Sequence, residues 1–208
     1  MKRLAIIGSG DLGQLIAHHA KHSHEVVGFF DDFAQPGEIV AGHPVLGALD
    51  LIDAKFDEGL FDELIIAIGY KHFDFRASLF ERLSTKYDFA TLIHPSCSVD
   101  PTAQIGKGSC LLPGSVLDRQ VRIGPNVLVN VGCTIAHDSS VGAHSFLSPS
   151  VSVAGFVDIG THCNIGIGSV LIDNITIASH VQTGGGTVVI GSLERKGLYV
   201  GNPSRFVK

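Results

Sequence analysis

The stretch Val129–Val153, VNVGCTIAHDSSVGAHSFLSPSVSV, carries an aliphatic residue at every sixth position: Val129, Ile135, Val141, Leu147 and Val153. Outward from it the beat runs back through Ile123, Leu117, Leu111 and Ile105 to Val99. It runs forward through Ile159, Ile165, Leu171 and Ile177 to Val189, with Thr183 the one member that is not aliphatic. Four residues after each beat stands a small or β-branched residue, here Cys133, Ser139, Ser145 and Val151, and Gly, Asp, Asn and Pro crowd the positions between. A period this regular marks a solenoid whose units bury their cores by stacking. Three six-residue steps taken as one coil put residue n+18 over residue n, with coils about 4.8 Å apart. Five full coils then span residues 99–188.

The rest of the chain reads differently. Residues 1–93 alternate strand and helix signals. KRLAIIG is a buried strand, GDLGQLIAHHAKH a helix, and HEVVGFFDD a second strand. LGALDLIDAKF reads as another helix, DELIIAIG as a third strand, and FRASLFERLSTKY as an amphipathic helix. Such alternation gives a parallel sheet with crossover helices. Pro95 marks the joint, so the expected domains are 1–93 and 94–208.

The chain has 208 residues, 45% hydrophobic and 17% charged, with a net charge of −5. That is enough for two modest domains with real cores. The negative balance argues against nucleic acid or an anionic membrane as the main partner, and no apolar run reaches the roughly 20 residues of a membrane span. MKRLAIIGSG mimics the start of a signal peptide, but its apolar run stops too soon. Cys97, Cys110, Cys133 and Cys163 show no metal-ligand spacing. Cys133 and Cys163 take the small inward position of the repeat, as buried thiols suited to a reducing cytoplasm.

Gly8-Ser9-Gly10-Asp11-Leu12-Gly13 follows the first strand directly. Glycines there let a phosphate approach the helix N-terminus. Asp31 and Asp32 end the second strand, about where acids that bind a ribose or base stand. A domain of this length is half of a full doubly wound fold, which favours a nucleotide-bearing substrate over NAD; a glycine turn with no ligand is the other reading.

The coil length tests candidate sites in the solenoid. One column reads Pro101, Arg119, His137, Gly155, Asp173. Gly155 leaves space beside the His137 imidazole and bares a backbone N–H. A base next to an N–H donor is what acyl transfer requires, and Asp138 is placed to hold the ring. A solvated surface His–Asp pair satisfies the same pattern. A second column reads Asn126, His144, His162, His180. Imidazoles stacked along one edge need not converge on one ion, so no metal is expected and an exposed or inter-subunit edge is the preferred reading.

GSGDLG, FFDD, IAIGYK, LIHPS, NVGCTIAHD, the beat itself and the closing VGNPSR carry a family resemblance over essentially the whole chain. It resembles the bacterial nucleotide-sugar N-acetyltransferases related to the enzyme that acetylates UDP-4-amino-sugars for bacillosamine synthesis, and is similar to the sialic acid O-acetyltransferase group. The resemblance implies a Rossmann-like α/β N-terminal domain followed by an all-β, triangular, left-handed parallel β-helix, and a homotrimer. It implies acetyl-CoA as co-substrate and transfer to the 4-amino group of a nucleotide-linked 4-amino-4,6-dideoxysugar in bacterial surface glycan synthesis, with UDP favoured over dTDP or GDP. By position, it makes His137 the general base and Asp138 the residue that tunes it. It puts Asn130 near the acceptor amine and Gly155 at the thioester, with Ile167 and Gly185 along the pantetheine arm. Gly10, Asp11, Leu12, Asp31 and Asp32 align with nucleotide-sugar contacts, with Gly69, Tyr70 and Lys71 nearby. Members often carry a coenzyme-contacting histidine where this chain has Phe146; His144 lies two residues away. Rival readings are a sugar O-acetyltransferase, a non-catalytic nucleotide-sugar scaffold, and a metal hydratase, whose histidine pattern His137, His144 and His162 do not supply.

Overall fold

The computed structural model describes residues 1–208, which divide into two compact units, Met1–Leu92 and Ile93–Lys208. No helix is long and apolar enough to cross a membrane.

The first unit runs β1 (Lys2–Ile7), α1 (Asp11–Ala20), β2 (His24–Phe30), β3 (Ile39–Val40), β4 (His43–Gly47), α2 (Ile52–Asp57), β5 (Glu63–Ile66) and α3 (Phe73–Leu83). Its five-stranded sheet has the order β3-β4-β2-β1-β5. β1 pairs in parallel with β2 and β5, and β2 with β4, while β3 returns antiparallel on β4. Leu4, Ala5, Ile6 and Ile7 of β1 and Leu64, Ile65 and Ile66 of β5 are buried. Continuous apolar runs of this kind belong to strands covered on both faces. Gly13 lets α1 lie close to the β1 turn: a Cβ there would meet the Gly8 carbonyl oxygen at 2.0 Å.

The helix read over Leu46–Phe56 is corrected. Leu46 and Gly47 finish β4, a 3₁₀ turn covers Leu49–Leu51, and α-helix holds only over Ile52–Asp57. Gly47 has φ +139 and pairs with Phe30, and the Leu49 N–H is held by Asp32 Oδ1 at 2.8 Å. β3 and β4 carry no local alternation strong enough to announce themselves; pairing with β2 makes them strands.

The second unit is a three-sided column. Its first face stacks Cys110–Leu111, Leu128–Val129, Phe146–Leu147, Asn164–Ile165 and Val181–Thr183. The second face stacks Ser98–Val99, Val116–Leu117, Thr134–Ile135, Ser152–Val153, Val170–Leu171 and Val188–Val189. The third stacks Gln104–Ile105, Arg122–Ile123, Ser140–Val141, Asp158–Ile159 and Thr176–Ile177. From Ser98 to Val189 the pairings between coils are parallel and in register at eighteen residues, as Leu117↔Ile135 and Ile135↔Val153 show. Gly197–Val200 extends the first face and Arg205–Phe206 folds back on it.

The beat residues from Leu111 to Val189 fill the interior with Val121, Val127, Cys133, Val151, Val157 and Cys163. Burying one such aliphatic side chain contributes roughly 1.5–3 kcal/mol. Burial pushes the Cys133 and Cys163 thiols up to about 11, so both are inert packing groups. Thr183 enters the same interior because its hydroxyl is satisfied there, accepting from the Gly166 N–H at 2.8 Å and bonding Ser169 Oγ at 2.9 Å.

The column turns at three corners, and from Ile105 to Thr183 each turn has a residue in the left-handed region three places after the beat. Between the first and second faces (corner I) these include Gly132, Ser150 and Gly168. Between the second and third (corner II) they are Gln120, Asp138, Phe156 and Asn174, and between the third and first (corner III) Gly108, Asn126, His144, His162 and His180. Gly, Asn, Asp and His are the residues that tolerate this conformation. The histidine column thus begins as a backbone requirement.

Candidate active site

At corner II, His137 and Asp138 follow the strand Thr134–Ile135 of the second face. Asp138 takes the left-handed turn position with φ +59, which swings its carboxylate back beside the preceding ring. His137 Nδ1 and Asp138 Oδ2 are 3.0 Å apart, and Arg119 Nη2, one coil earlier, donates to the same oxygen at 3.0 Å. The His137 side chain remains 40% exposed. With Nδ1 facing a carboxylate, Nε2 is the nitrogen left for an incoming group.

Gly155 lies one coil on. A Cβ on Gly155 would meet His137 Cε1 at 2.7 Å and Nε2 at 2.9 Å, so only glycine leaves the ring where it is. The N–H of Gly155 takes no acceptor within the chain, because the hydrogen-bonding partners at this corner fall on Ala154 and Phe156 instead. An imidazole nitrogen and an unengaged backbone donor therefore adjoin, the two groups that acyl transfer needs for its proton and its oxyanion.

The other solenoid residues of interest are distributed over the remaining corners. Corner I holds Asn130, Ile167 and Gly185. Asn130 Oδ1 accepts from the Val131 N–H at 2.8 Å. Ile167 is 57% exposed and packs over Gly185, whose Cβ would meet Ile167 Cγ2 at 3.1 Å. The N–H groups of Ile167 and Gly185 also take no acceptor within the chain. Corner III holds His144, buried, with Nδ1 3.0 Å from Asn126 Nδ2. Its ring lies 5.0 Å from His162, which stacks on His180 at 4.7 Å. Phe146 is only 8% exposed. Within one copy, His137 and Gly155 are thus brought together, while Asn130, Ile167 and Gly185 lie at a different corner and His144 at a third. No group of three or more His, Cys, Asp or Glu gathers in metal-binding geometry.

In the first unit the parallel strands deliver Gly8–Leu12, Asp31–Asp32 and Gly69–Lys71 to one edge, since each follows the C-terminal end of β1, β2 or β5. Ligands of open α/β sheets bind in that crevice. It opens into a cavity of about 410 Å³ lined by Ile7, Gly8, Asp31, Phe33, His72 and Phe75 among others. Asp31 Oδ2 accepts from the Ser9 N–H at 2.8 Å and the Ser9 hydroxyl at 2.7 Å, and Oδ1 from the Phe33 N–H at 2.9 Å. Burial works to raise the Asp31 pKa, but these bonds outweigh it and hold the carboxyl below its ordinary value. Asp31 therefore shapes the glycine loop, while Asp32 braces the Leu49 turn. Phe33 is 98% exposed, an aromatic in water at the rim of an apolar cavity. Sequence reasoning passed over Phe33, Phe75 and His72. It also passed over Arg119, though that residue stands in the column already read for His137.

The PglD N-terminal domain profile matches residues 3–83. A search of curated proteins finds no match. Among solved structures, the acetyltransferase domain of PglB from Neisseria gonorrhoeae is 28% identical, with TM-score 0.92 over 100% of both chains. That domain has also been solved in complex with acetyl coenzyme A. Perosamine N-acetyltransferase from Caulobacter crescentus, solved as a histidine variant with CoA and GDP-perosamine, is 26% identical, with TM-score 0.93 over 100% of this chain and 98% of that one. WeeI from Acinetobacter baumannii, at 24% identity and TM-score 0.86 over 100% of both chains, shares the fold. The architecture is accordingly a Rossmann-like domain followed by the left-handed parallel β-helix of hexapeptide acetyltransferases.

Proposed function

We infer that this chain, a member of the hexapeptide-repeat sugar N-acetyltransferases with a PglD-type N-terminal domain, acetylates the amino group of a nucleotide-linked amino sugar with acetyl-CoA. The finer reading is the 4-amino group of a 4-amino-4,6-dideoxysugar, made for a bacterial surface glycan. One observation carries it: an imidazole bonded to a carboxylate on one side and seated against a glycine whose N–H is unengaged.

In the proposed step His137 Nε2 takes the proton from the sugar amine as its nitrogen attacks the thioester carbonyl carbon. The Gly155 N–H meets the oxyanion of the tetrahedral adduct. Asp138 steadies the imidazolium, and the adduct collapses with breakage of the C–S bond. The proton passes from His137 to the departing thiolate. General-base help of this kind is typically worth 10²–10⁴ in rate.

Gly10, Asp11 and Leu12, at the start of α1, take the diphosphate side of the substrate. The cavity between Phe33 and Phe75 takes the base, with Asp31, Asp32, Gly69, Tyr70 and Lys71 around it. UDP is the proposed nucleotide ahead of dTDP and GDP. Asn130, Ile167 and Gly185 serve His137 from the corner I of a second copy, which makes the enzyme a homotrimer holding acetyl-CoA between neighbours. His144 and Phe146 belong to the same coenzyme-binding reading. The compartment is the cytoplasm, which supplies acetyl-CoA and suits four free cysteines.

The test is a product assay with acetyl-CoA and paired acceptors that differ only in an amino or a hydroxyl group at the reacting carbon. The amide product is expected; ester formation with no amide would move the chain to sugar O-acetyltransferases, and no transfer at all would leave a nucleotide-sugar scaffold. A thermal-shift screen across UDP-, dTDP- and GDP-sugars names the nucleotide, since the bound form gains stability by mass action.

A further inference from the structure

Phe156 occupies the left-handed turn position of corner II, with φ +57. Its column mates there are Gln120, Asp138 and Asn174, all polar, and Asp and Asn are among the residues enriched in this conformation. A bulky aromatic at positive φ is an outlier, and outliers of this kind persist where the surroundings over-determine them, often at functional sites. Burial does not account for it either, because the side chain is 52% exposed. The contact it makes is with His137: the two ring centroids are 5.2 Å apart and the planes meet at 85°.

That contact completes an enclosure. Asp138 holds Nδ1 of the imidazole, the Gly155 backbone closes one side of the ring, and the Phe156 ring meets it edge to face. The second torsion of a histidine is broad, and one hydrogen bond to a carboxylate that is itself 25% exposed does not fix the tilt of the ring about that bond. A ring packed at right angles removes that freedom. We propose that Phe156 is a positioning residue, set in a strained turn so that its ring fixes the orientation of His137 and keeps Nε2 aimed at the acceptor. The inference rests on His137 being the base.

The experiment compares Phe156→Asn and Phe156→Tyr with the parent enzyme and with His137→Ala. Asn suits this turn, as Asn174 shows one coil on at φ +58, so Phe156→Asn relieves strain and its melting temperature is expected to match or exceed the parent's. Its kcat is expected to fall about tenfold to a hundredfold, the scale of a misplaced reacting group, with KM for both substrates within about twofold. Phe156→Tyr keeps the ring and is expected to retain most of the kcat. Unchanged kcat in Phe156→Asn overturns the proposal. A raised KM for acetyl-CoA at constant kcat overturns it in favour of a coenzyme contact, and a fall in kcat that tracks a fall in melting temperature overturns it in favour of mere packing. Full turnover by His137→Ala would instead remove the base assignment itself. An inactive His137→Ala beside a fully active Phe156→Asn removes this inference alone.

Discussion

Two corners of the solenoid carry histidines, and they have opposite surroundings. At corner III, His144, His162 and His180 occupy the left-handed turn position, and each ring finds another imidazole one coil away, 5.0 or 4.7 Å distant. At corner II, His137 occupies the residue before that position, and one coil on it finds Gly155. The first arrangement sets the imidazole rings against each other and the His144 Nδ1 against Asn126. The second leaves a nitrogen open, with a carboxylate behind it and a donor beside it. In a stacked fold the chemistry of a side chain is set by the residues eighteen places before and after it as much as by its sequence neighbours.

The largest effect expected from breaking this contrast is at the imidazoles themselves. His137→Ala should lower kcat by about 10²–10⁴, while His162→Asn, which keeps a residue suited to the turn, should leave kcat within about twofold. Steady-state rates on the two variants decide the matter, and equal losses would dissolve the distinction between the corners. The next effect is at the glycines. A methyl group on Gly155 meets the His137 ring at 2.7 Å, whereas one on Gly142, at corner III, meets the backbone of Gly160 at 2.5 Å. A side-chain ring can be pushed off its seat at far less cost to the fold than a backbone can. Gly155→Ala should therefore cost about a hundredfold in kcat with little change in melting temperature. Gly142→Ala should cost about 1–3 kcal/mol of stability, with the folded fraction turning over normally. Thermal melts paired with kinetics on active-site-titrated protein separate the two.

The solenoid was legible because its period is covalent: once the beat is found, eighteen-residue offsets put Gly155 against His137 and Cys133 and Cys163 inside. What the period hides is the identity of the left-handed position, three residues after each beat. Read that way, the His144–His162–His180 column is a set of turn residues, and Phe156 stands out as the side chain that does not suit its place. Arg119 was visible in the His137 column but silent, since only the geometry shows its guanidinium reaching the oxygen that His137 shares. In the first unit the signal is weaker. β4 and the true start of α2 depend on pairing with β2 and on the Asp32 carboxylate, contacts between segments distant in sequence. Phe33 and Phe75 come to one cavity only because β2 and β5 end at the same edge of the sheet.

A smaller effect should follow from Arg119. Its donation to Asp138 Oδ2 fixes the carboxylate that in turn holds His137, so Arg119→Ala loosens the ring at one remove. A loss of about three- to tenfold in kcat is expected, recovered in large part by Arg119→Lys, and well below that of Asp138→Asn, which removes the carboxylate charge directly. Arg119→Ala rates equal to the parent's would mean that the His137–Asp138 pair needs no support from the coil before it.

The smallest effect belongs to His180, the exposed end of the corner III column. His180→Asn loses one ring stack, against His162 at 4.7 Å, and keeps a backbone suited to φ +62. Asn126 already holds that conformation in the same column, at φ +54. Stability should shift by no more than about 0.5 kcal/mol, as for surface substitutions without a strain or burial penalty, and kcat should not move. The value of so quiet a variant lies in what a loud one would mean. If His180→Asn lost activity while melting normally, the corner III imidazoles would be taking part in the reaction, and the site would extend to a corner that, within one copy, His137 does not share.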